Sequence, residues 1–206
     1  MHGITRKAVS ASAVLSIVAL AVVASAFART DGSTAAFAQS AACENPKIGF
    51  MGPITGDAAF IGKEQLGFSK YAIRRLGKGK VGLVEGDTQL DPAQASTVGA
   101  RFHANLDILA VVGPAGSQEV LAVAPIFKKG QRLPFISGSA TRTSLTNGSI
   151  PSFFRVVPND SVQSPTTARY IRQILKAKDV FIVDDQTAYS RPLANGVQAN
   201  LKAGGI

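Results

Sequence analysis

From Lys47 onward, short apolar runs alternate with longer segments in which apolar residues recur every three or four positions. The short runs are typical of buried strands and the longer segments of amphipathic helices. Strands that alternate with helices predict an α/β fold with a parallel sheet flanked by helices. The predicted strands are Lys47–Gly52, Lys80–Glu85, Ile108–Gly113, Leu133–Ser137, Phe153–Val157 and Val180–Asp184.

Five helices are predicted from apolar stripes that would each cover the sheet. The stripes are Leu66, Ile73 and Leu76; Ala95, Val98 and Phe102; Val120, Val123, Ala124 and Phe127; Ala168, Ile171 and Leu175; and Leu193, Val197 and Leu201. The second helix has the clearest start, because Asp91 can cap it, Pro92 suits its first position and Gln94 can complete a capping box. Pro125 should kink or shorten the third helix, since an interior proline costs about 3 kcal/mol.

The order of elements also predicts how the chain divides into domains. Turn residues at 158–160 follow the fifth strand, so residues 43–158 are assigned to an N-terminal lobe and residues 159–206 to the start of a second, incomplete lobe. The final residues 203–206 are typical of a helix end that runs into a further strand. We therefore expect a fragment or a truncated version of a longer protein.

Residues 1–42 are interpreted as a signal peptide and leader. Arg6 and Lys7 precede an uncharged run over residues 8–28 that is rich in alanine and serine, and small residues suited to cleavage lie between residues 24 and 38. A membrane anchor is the alternative, because the run approaches the ~20 residues that a span requires. We expect an exported protein, periplasmic or on the cell surface.

Cys43 is the only cysteine, so this sequence cannot form an intrachain disulfide. It is a possible lipidation site, although lipid attachment would favour a large aliphatic residue three positions earlier, where Ser40 stands. A buried thiol, or a partner beyond residue 206, is the alternative.

The net charge of +9 raises the question of a nucleic-acid partner. Several of the basic residues gather near the end of the first predicted helix, where cations complement the helix dipole: Lys70, Arg74, Arg75, Lys78 and Lys80. No aromatic residues interleave with the others to form a stacking platform. We therefore expect no nucleic-acid binding.

Two loops rich in small and hydroxyl residues follow neighbouring predicted strands. They are Gly113-Pro114-Ala115-Gly116-Ser117 and Ser137-Gly138-Ser139-Ala140-Thr141. In open parallel sheets, ligands bind beyond the carboxyl ends of the strands, where helix N-termini point their N–H groups at the cleft. Such residues also end strands without any function. Two equivalent loops together nevertheless favour a small anion, with Ser117, Ser139 and Thr141 as donors.

Other candidate motifs are weaker. The glycine-rich connection over residues 52–62 is not a phosphate loop, because Lys63 is followed by Glu64 where that motif has a hydroxyl residue. Tyr189, which follows Asp184 and Asp185, is placed either to stack on a ligand or to be a surface aromatic. Adjacent strand residues point to opposite faces, so the two aspartates are not an acid–base pair.

The sequence gives little support for catalysis. His103 is the single histidine after the leader and lies beside an apolar helical stripe, which disfavours a Ser-His-Asp arrangement. One histidine and one cysteine cannot supply a metal cluster. We expect no enzyme activity, no metal and no cofactor.

Several motifs in order resemble the type I periplasmic binding proteins of branched-chain amino-acid ABC transporters, the Leu/Ile/Val-binding family. They are Ile48-Gly49-Phe50, Thr55-Gly56-Asp57, the run from Gly86 to Ala95, Val111-Val112-Gly113-Pro114, the run from Phe135 to Thr141, Phe154-Arg155, Asp160-Ser161-Val162-Gln163, and the run from Asp184 to Tyr189. The likeness covers nearly everything after Cys43.

The resemblance implies two lobes that close on a ligand without chemistry. It assigns ligand contacts to Ser117, Ser139, Ala140, Thr141, Tyr189, Phe60 and Ile61. The hydroxyls and N–H groups of the first four would hold a carboxylate, Tyr189 would pack over the ligand from the second lobe, and Phe60 or Ile61 would form a lid. The family's acidic partner for a ligand ammonium would lie beyond Ile206.

The sequence also departs from the family pattern, because Ser164 and Ser190 stand where relatives commonly have glycine. The expected function is extracytoplasmic capture of an amino acid or a similar small carboxylate-bearing solute for an ABC permease. A sensor module that regulates a partner is the alternative. An exported hydrolase lacks a usable histidine.

Overall fold

The computed structural model describes residues 44–130 and 133–206. The predicted leader and Cys43 lie outside these residues, so their predicted roles stay predictions. Within the described ranges, no helix combines the length and the apolar character that crossing a membrane requires.

Five parallel strands form one sheet in the order β2-β1-β3-β4-β5. The strands are β1 (Lys47–Gly52), β2 (Gly82–Asp87), β3 (Ile108–Val112), β4 (Phe135–Ser137) and β5 (Phe153–Arg155). The chain runs outward from β1 to one edge, returns to β3 on its other side, and continues to the opposite edge. The strand order therefore reverses between β1 and β3, which is where doubly wound sheets bind ligands.

In the part of the chain that the structure describes, five helices connect or follow the strands. They are α1 (Ala59–Leu76), α2 (Pro92–Ala104), α3 (Ser117–Phe127), α4 (Asp160–Gln173) and α5 (Ser190–Ala203), with a short 3₁₀ turn at Thr143–Thr146. The predicted cap of α2 is confirmed, because the Asp91 carboxylate accepts from the N–H of Gln94 at 2.8 Å. The Asp91 N–H donates to Thr88 O (2.8 Å), so Gln94 does not complete the predicted capping box there.

The main core lies between the sheet and helices α2 and α3. It contains the buried aromatic residues Phe102, Phe127, Phe135 and Phe153 together with aliphatic residues of the stripes predicted for α2 and α3. The rings of Phe127 and Phe135 meet edge to face with centroids 5.1 Å apart, and the Phe153 ring lies 5.1 Å from that of Phe135. Such pairs add about 0.5–1.5 kcal/mol beyond the area that they bury.

A second, smaller cluster joins α4 to α5. Ala168, Val197 and Leu201 are buried in it, and Ile171 and Leu193 pack against them. This cluster and the main core lie on opposite sides, in sequence, of the boundary predicted near residue 158. The division into residues 43–158 and 159–206 stays a prediction.

The predicted strand Val180–Asp184 is wrong. These residues form no ladder, and the side chains of Phe181 and Val183 are 92% and 80% exposed. A strand requires a neighbour for its N–H and C=O groups, and the described residues offer none at this position. The alternation of apolar residues was real, but the pairing that would make it a strand is missing.

Smaller corrections concern the ends of elements. β2 begins two residues later than predicted, β4 begins two residues later and β5 ends two residues earlier. Leu76 and Leu175 are exposed, because the first is the last residue of α1 and the second lies beyond the end of α4. Pro125 lies inside α3 but in its last turn, and the helix ends two residues later.

Candidate functional site

The two predicted hydroxyl loops meet at the carboxyl ends of β3 and β4. Ser117 is the first residue of α3, and its hydroxyl accepts from the N–H of Arg142 at 3.2 Å. The Ser139 hydroxyl donates to Ala115 O (2.8 Å) and accepts from Gln65 Nε2 of α1 (2.9 Å). Hydrogen bonds on both sides of Thr141 thus join the loop after β4 to the loop after β3.

Several polar groups of this turn already form hydrogen bonds within the protein. The Ser137 hydroxyl donates to Pro114 O (2.7 Å) and accepts from the N–H groups of Ser139 (3.3 Å) and Ala140 (3.0 Å). The amide hydrogens of Ser139 and Ala140 are therefore engaged within the turn. The hydroxyls of Ser117 and Thr141 are better placed to donate to a guest.

The Thr141 hydroxyl and the Asp160 carboxylate are buried polar groups that can each form further hydrogen bonds. Thr141 Oγ1 and both carboxylate oxygens of Asp160 are buried, and none has a hydrogen-bond partner among the described residues. The two residues are adjacent, since the Asp160 N–H donates to Thr141 O at 2.9 Å. Asp160 was not predicted as a site residue, because in sequence it is a turn residue after the helix cap Asn159.

Arg155 braces the same turn from β5. Its guanidinium donates to Ala140 O (3.2 Å) and Arg142 O (2.8 Å), and also contacts the Thr146 hydroxyl. Burial lowers the pKa of Arg155, and the nearby charge of Asp160 partly offsets this effect. The Asp160 carboxylate thus lies near enough to the Arg155 guanidinium for the two charges to interact.

The segment before α5 approaches this turn. Arg142 Nη1 donates to Ala188 O at 2.9 Å, one residue before Tyr189, which is exposed. Ser190 stands where relatives commonly have glycine, and it forms local hydrogen bonds. The Ser190 N–H donates to the Thr187 hydroxyl (3.1 Å), and the Ser190 hydroxyl contacts the Asp185 carboxylate. The contact from the Ser190 hydroxyl and the hydrogen bond from Thr187 N–H lower the pKa of Asp185.

Ser164, the other residue that stands where relatives commonly have glycine, lies within α4, and the helix continues through it. Ser164 is buried against α5, where a Cβ atom added to Gly196 would lie only 2.4 Å from the Ser164 hydroxyl. Glycine at 196 thus accommodates serine at 164.

An open cleft of about 690 Å³ lies beside the hydroxyl loops. Its lining comes from the loops after β1 and β2, the start of α3 and the segment before α5: Gly56, Asp57, Ala58, Gln89, Leu90, Asp91, Pro92, Gln118, Asp185, Thr187 and Ala188. Its volume falls in the range of small-molecule sites. Gln118 and Ala188 adjoin Ser117 and Tyr189, so the cleft opens next to the predicted contacts.

Phe60 and Ile61 lie in the first turn of α1, shortly after the cleft residue Ala58 in the sequence. Phe60 is 72% exposed and Ile61 is half-buried. Their role as a lid stays a prediction.

The loops that line the cleft are held in unusual conformations. Gln89, Leu90 and Gln186 have positive φ angles of 53°, 62° and 64°, which non-glycine residues rarely adopt. Asp87 organises the first of these loops by accepting from the N–H groups of Ile54 (2.8 Å) and Gln89 (3.1 Å). Burial alone would raise the pKa of Asp87, but these bonds and those from Thr55 outweigh burial and lower it. Strain of this kind is common at binding sites.

Glu119 is a buried carboxyl group behind the loop that carries Ser117. Its Oε2 accepts from Gly116 N–H at 2.5 Å, while Oε1 is buried with no partner among the described residues. Burial raises the pKa of Glu119 above its ordinary value of 4.5, and the nearby Thr88 hydroxyl and the Gly116 N–H offset this only in part. The side chain therefore holds its proton to higher pH in the folded state than in the unfolded chain.

We expect Glu119→Gln to remove a pH dependence of stability. As pH rises above 4.5, the unfolded chain releases the Glu119 proton first, so the wild-type free energy of unfolding falls until the folded pKa is passed. The glutamine variant, which keeps an acceptor for Gly116, should match the wild type near pH 4 and exceed it at pH 8, by about 1.4 kcal/mol per unit of pKa shift.

Urea unfolding at pH 4, 6 and 8 measures this difference. Glu64→Gln, at an exposed position of α1, is the matched control and should show no such trend. A Glu119→Gln variant whose stability differs from wild type by the same amount at all three pH values would contradict the interpretation.

No group of three or more His, Cys, Asp or Glu residues that could hold a metal ion occurs in residues 44–130 and 133–206. His103 binds the carbonyl oxygen of Lys129 at 2.9 Å. The polar groups that converge at the cleft are hydroxyls, amides and carboxylates.

Comparison with known proteins adds to this geometry. The family model described as periplasmic binding protein matches residues 45–206. The leucine-specific-binding protein of Salmonella typhimurium and the Leu/Ile/Val-binding protein of Escherichia coli K12 are each 30% identical to this chain over 175 residues, which are 82% of this chain and 47% of each relative. The chain thus spans about half the length of the curated relatives that it matches.

A solved structure gives the same picture. The branched-chain amino-acid transporter substrate-binding protein of Streptococcus pneumoniae, in complex with isoleucine, superposes with a TM-score of 0.71 at 27% identity, covering 77% of this chain and 47% of that protein. The resemblance to Leu/Ile/Val-binding proteins found in the sequence is therefore confirmed, and the chain belongs to the periplasmic binding protein family.

Proposed function

We propose that this protein is an extracytoplasmic solute-binding protein that captures an amino acid or a similar small carboxylate-bearing solute and delivers it to an ABC permease. The observation that carries the proposal is the meeting of Ser117 and the Ser139–Thr141 turn at the carboxyl ends of β3 and β4. A cleft of ligand size is lined by Gln118 and Ala188, the sequence neighbours of Ser117 and Tyr189.

The chemistry of these groups suits a carboxylate. Neutral hydroxyls donate to an anion without introducing a competing charge, and charge-assisted hydrogen bonds are about twice as strong as neutral ones. The loops are preorganised by their own hydrogen bonds, so little ordering entropy is lost on binding.

The remaining predicted contacts complete the proposed site. Residues 159–206 would begin the second lobe, from which Tyr189 packs over the ligand, and Phe60 or Ile61 would close the cleft from α1. The leader would direct export, and Cys43 is a possible site of lipid attachment. Capture and release by lobe closure require no bond chemistry, which agrees with the relatives being named as binding proteins. No observation favours the alternative sensor function.

The proposal is tested on the mature protein as expressed from its gene. A thermal-shift screen of the natural amino acids and of small carboxylic acids, followed by calorimetry, should find at least one compound that binds. For a leucine-type ligand, L-leucinol, which lacks the carboxylate, should bind at least 100-fold more weakly than L-leucine. Equal binding of the two compounds, or no response to any amino acid or small carboxylic acid, would overturn the proposal.

A further inference from the structure

Arg142 connects three parts of the candidate site. Its backbone N–H donates to the Ser117 hydroxyl (3.2 Å), its Nε donates to the Ser144 hydroxyl (2.9 Å), and its Nη1 donates to Ala188 O (2.9 Å). Its carbonyl oxygen accepts from Arg155 (2.8 Å). Both the backbone and the side chain of Arg142 are thus held in place.

The geometry of the guanidinium makes this a directional contact. The group is planar, so the Nε bond to Ser144 fixes the direction in which Nη1 points. The carbonyl that Nη1 reaches belongs to a segment more than 40 residues later in the chain. Arg142 therefore sets the distance between the loop that carries Thr141 and the segment that carries Tyr189.

Hydrogen bonds within residues 185–190 hold the receiving segment together. Thr187 N–H donates to the Asp185 carboxylate (3.0 Å), Ser190 N–H donates to the Thr187 hydroxyl (3.1 Å), and the Ser190 hydroxyl contacts Asp185. Because residues 185–190 are tied to one another, a restraint at Ala188 also restrains Tyr189. Without it, the turn would keep its own shape but lose its fixed position.

We infer that Arg142 is a positioning residue that holds Tyr189 at a set distance from the Ser117 and Thr141 hydroxyls and so limits the size of the ligand side chain. This inference rests on the proposed function, in which Tyr189 packs over a ligand whose carboxylate those hydroxyls bind. It assigns a specificity role to a residue outside the predicted contacts.

The positional part is tested without any ligand. These 206 residues contain no tryptophan, so Tyr189→Trp introduces a single tryptophan among them as a fluorescent reporter. In this background, Arg142→Gln should raise the acrylamide quenching constant of the reporter indole at least twofold, and Arg142→Lys should raise it less because an ammonium can still donate to Ala188 O. Arg169→Gln, an equal charge change at an exposed position of α4, should leave quenching unchanged.

The specificity part uses L-leucine and L-phenylalanine with Tyr189 restored. Arg142→Gln should weaken leucine binding at least tenfold and narrow the preference for leucine over phenylalanine. Unchanged quenching in Arg142→Gln, or an equal loss of affinity for both ligands, would overturn the inference. If the glutamine variant fails to fold, the same two measurements on Arg142→Lys decide the question. Failure of the unmodified protein to bind any amino acid would refute the proposed function instead, while the quenching result would still stand.

Discussion

Thr141→Val should weaken ligand binding while making the ligand-free protein slightly more stable. Thr141 Oγ1 is buried and has no hydrogen-bond partner within the described residues. A buried hydroxyl without a partner destabilises the protein, so replacing it with a methyl group of the same shape should raise the free energy of unfolding by about 1 kcal/mol. The bound ligand loses a donor to its carboxylate, which should lower affinity by about 1–3 kcal/mol, or roughly 5- to 150-fold.

The opposite signs of the two expected changes distinguish a ligand contact from a structural role. Removal of a hydroxyl that supports the fold would lower both the ligand affinity and the free energy of unfolding. Calorimetry gives the affinity and urea unfolding without ligand gives the stability. Thr141→Ser should restore most of the binding, and Thr143→Val, the same change at a more exposed position two residues later, should alter neither measurement. Equal affinity in Thr141→Val and wild type would remove Thr141 from the site.

Most of the fold could be predicted from the sequence because its signals are local. The stripes of α2 and α3 have a strict helical period, and their predicted core residues, such as Val98, Phe102 and Val123, are buried. The failure at Val180–Asp184 has the opposite cause. A strand depends on a neighbour that is distant in sequence, and apolar alternation alone cannot show whether that neighbour is present.

The candidate site divides in the same way. Glycine and hydroxyl residues after strands are visible in the sequence, so Ser117, Ser139 and Thr141 could be selected and their loops were found together. Asp160 and Arg142 could not, because their importance comes from burial and from partners across the fold. A carboxylate after a helix cap and an arginine in a polar turn are ordinary surface residues until the packing around them is known.

Gly113 has almost no room for a side chain. It follows β3 directly and leads into the loop that ends at Ser117. Its φ of 107° lies in a region that residues with a Cβ atom rarely adopt, and a Cβ atom there would lie 2.0 Å from Met51 O of β1. The backbone cannot move away freely, because the Gly113 N–H donates to Ile136 O of β4 at 2.7 Å.

We therefore expect Gly113→Ala to lower the free energy of unfolding by about 3 kcal/mol or more, since backbone strain and overpacking each cost about 1–3 kcal/mol. Gly138 is the matched control, because it follows β4 as Gly113 follows β3, lacks a positive φ and would place a Cβ atom in open space. Gly138→Ala should raise stability by less than about 1 kcal/mol, through the lower entropy of the unfolded chain. Urea unfolding of both variants measures the contrast. Similar stabilities of the two variants would show that the loop after β3 can relax around a methyl group. The rigidity of that loop could then not be what holds Ser117 against the turn of Thr141.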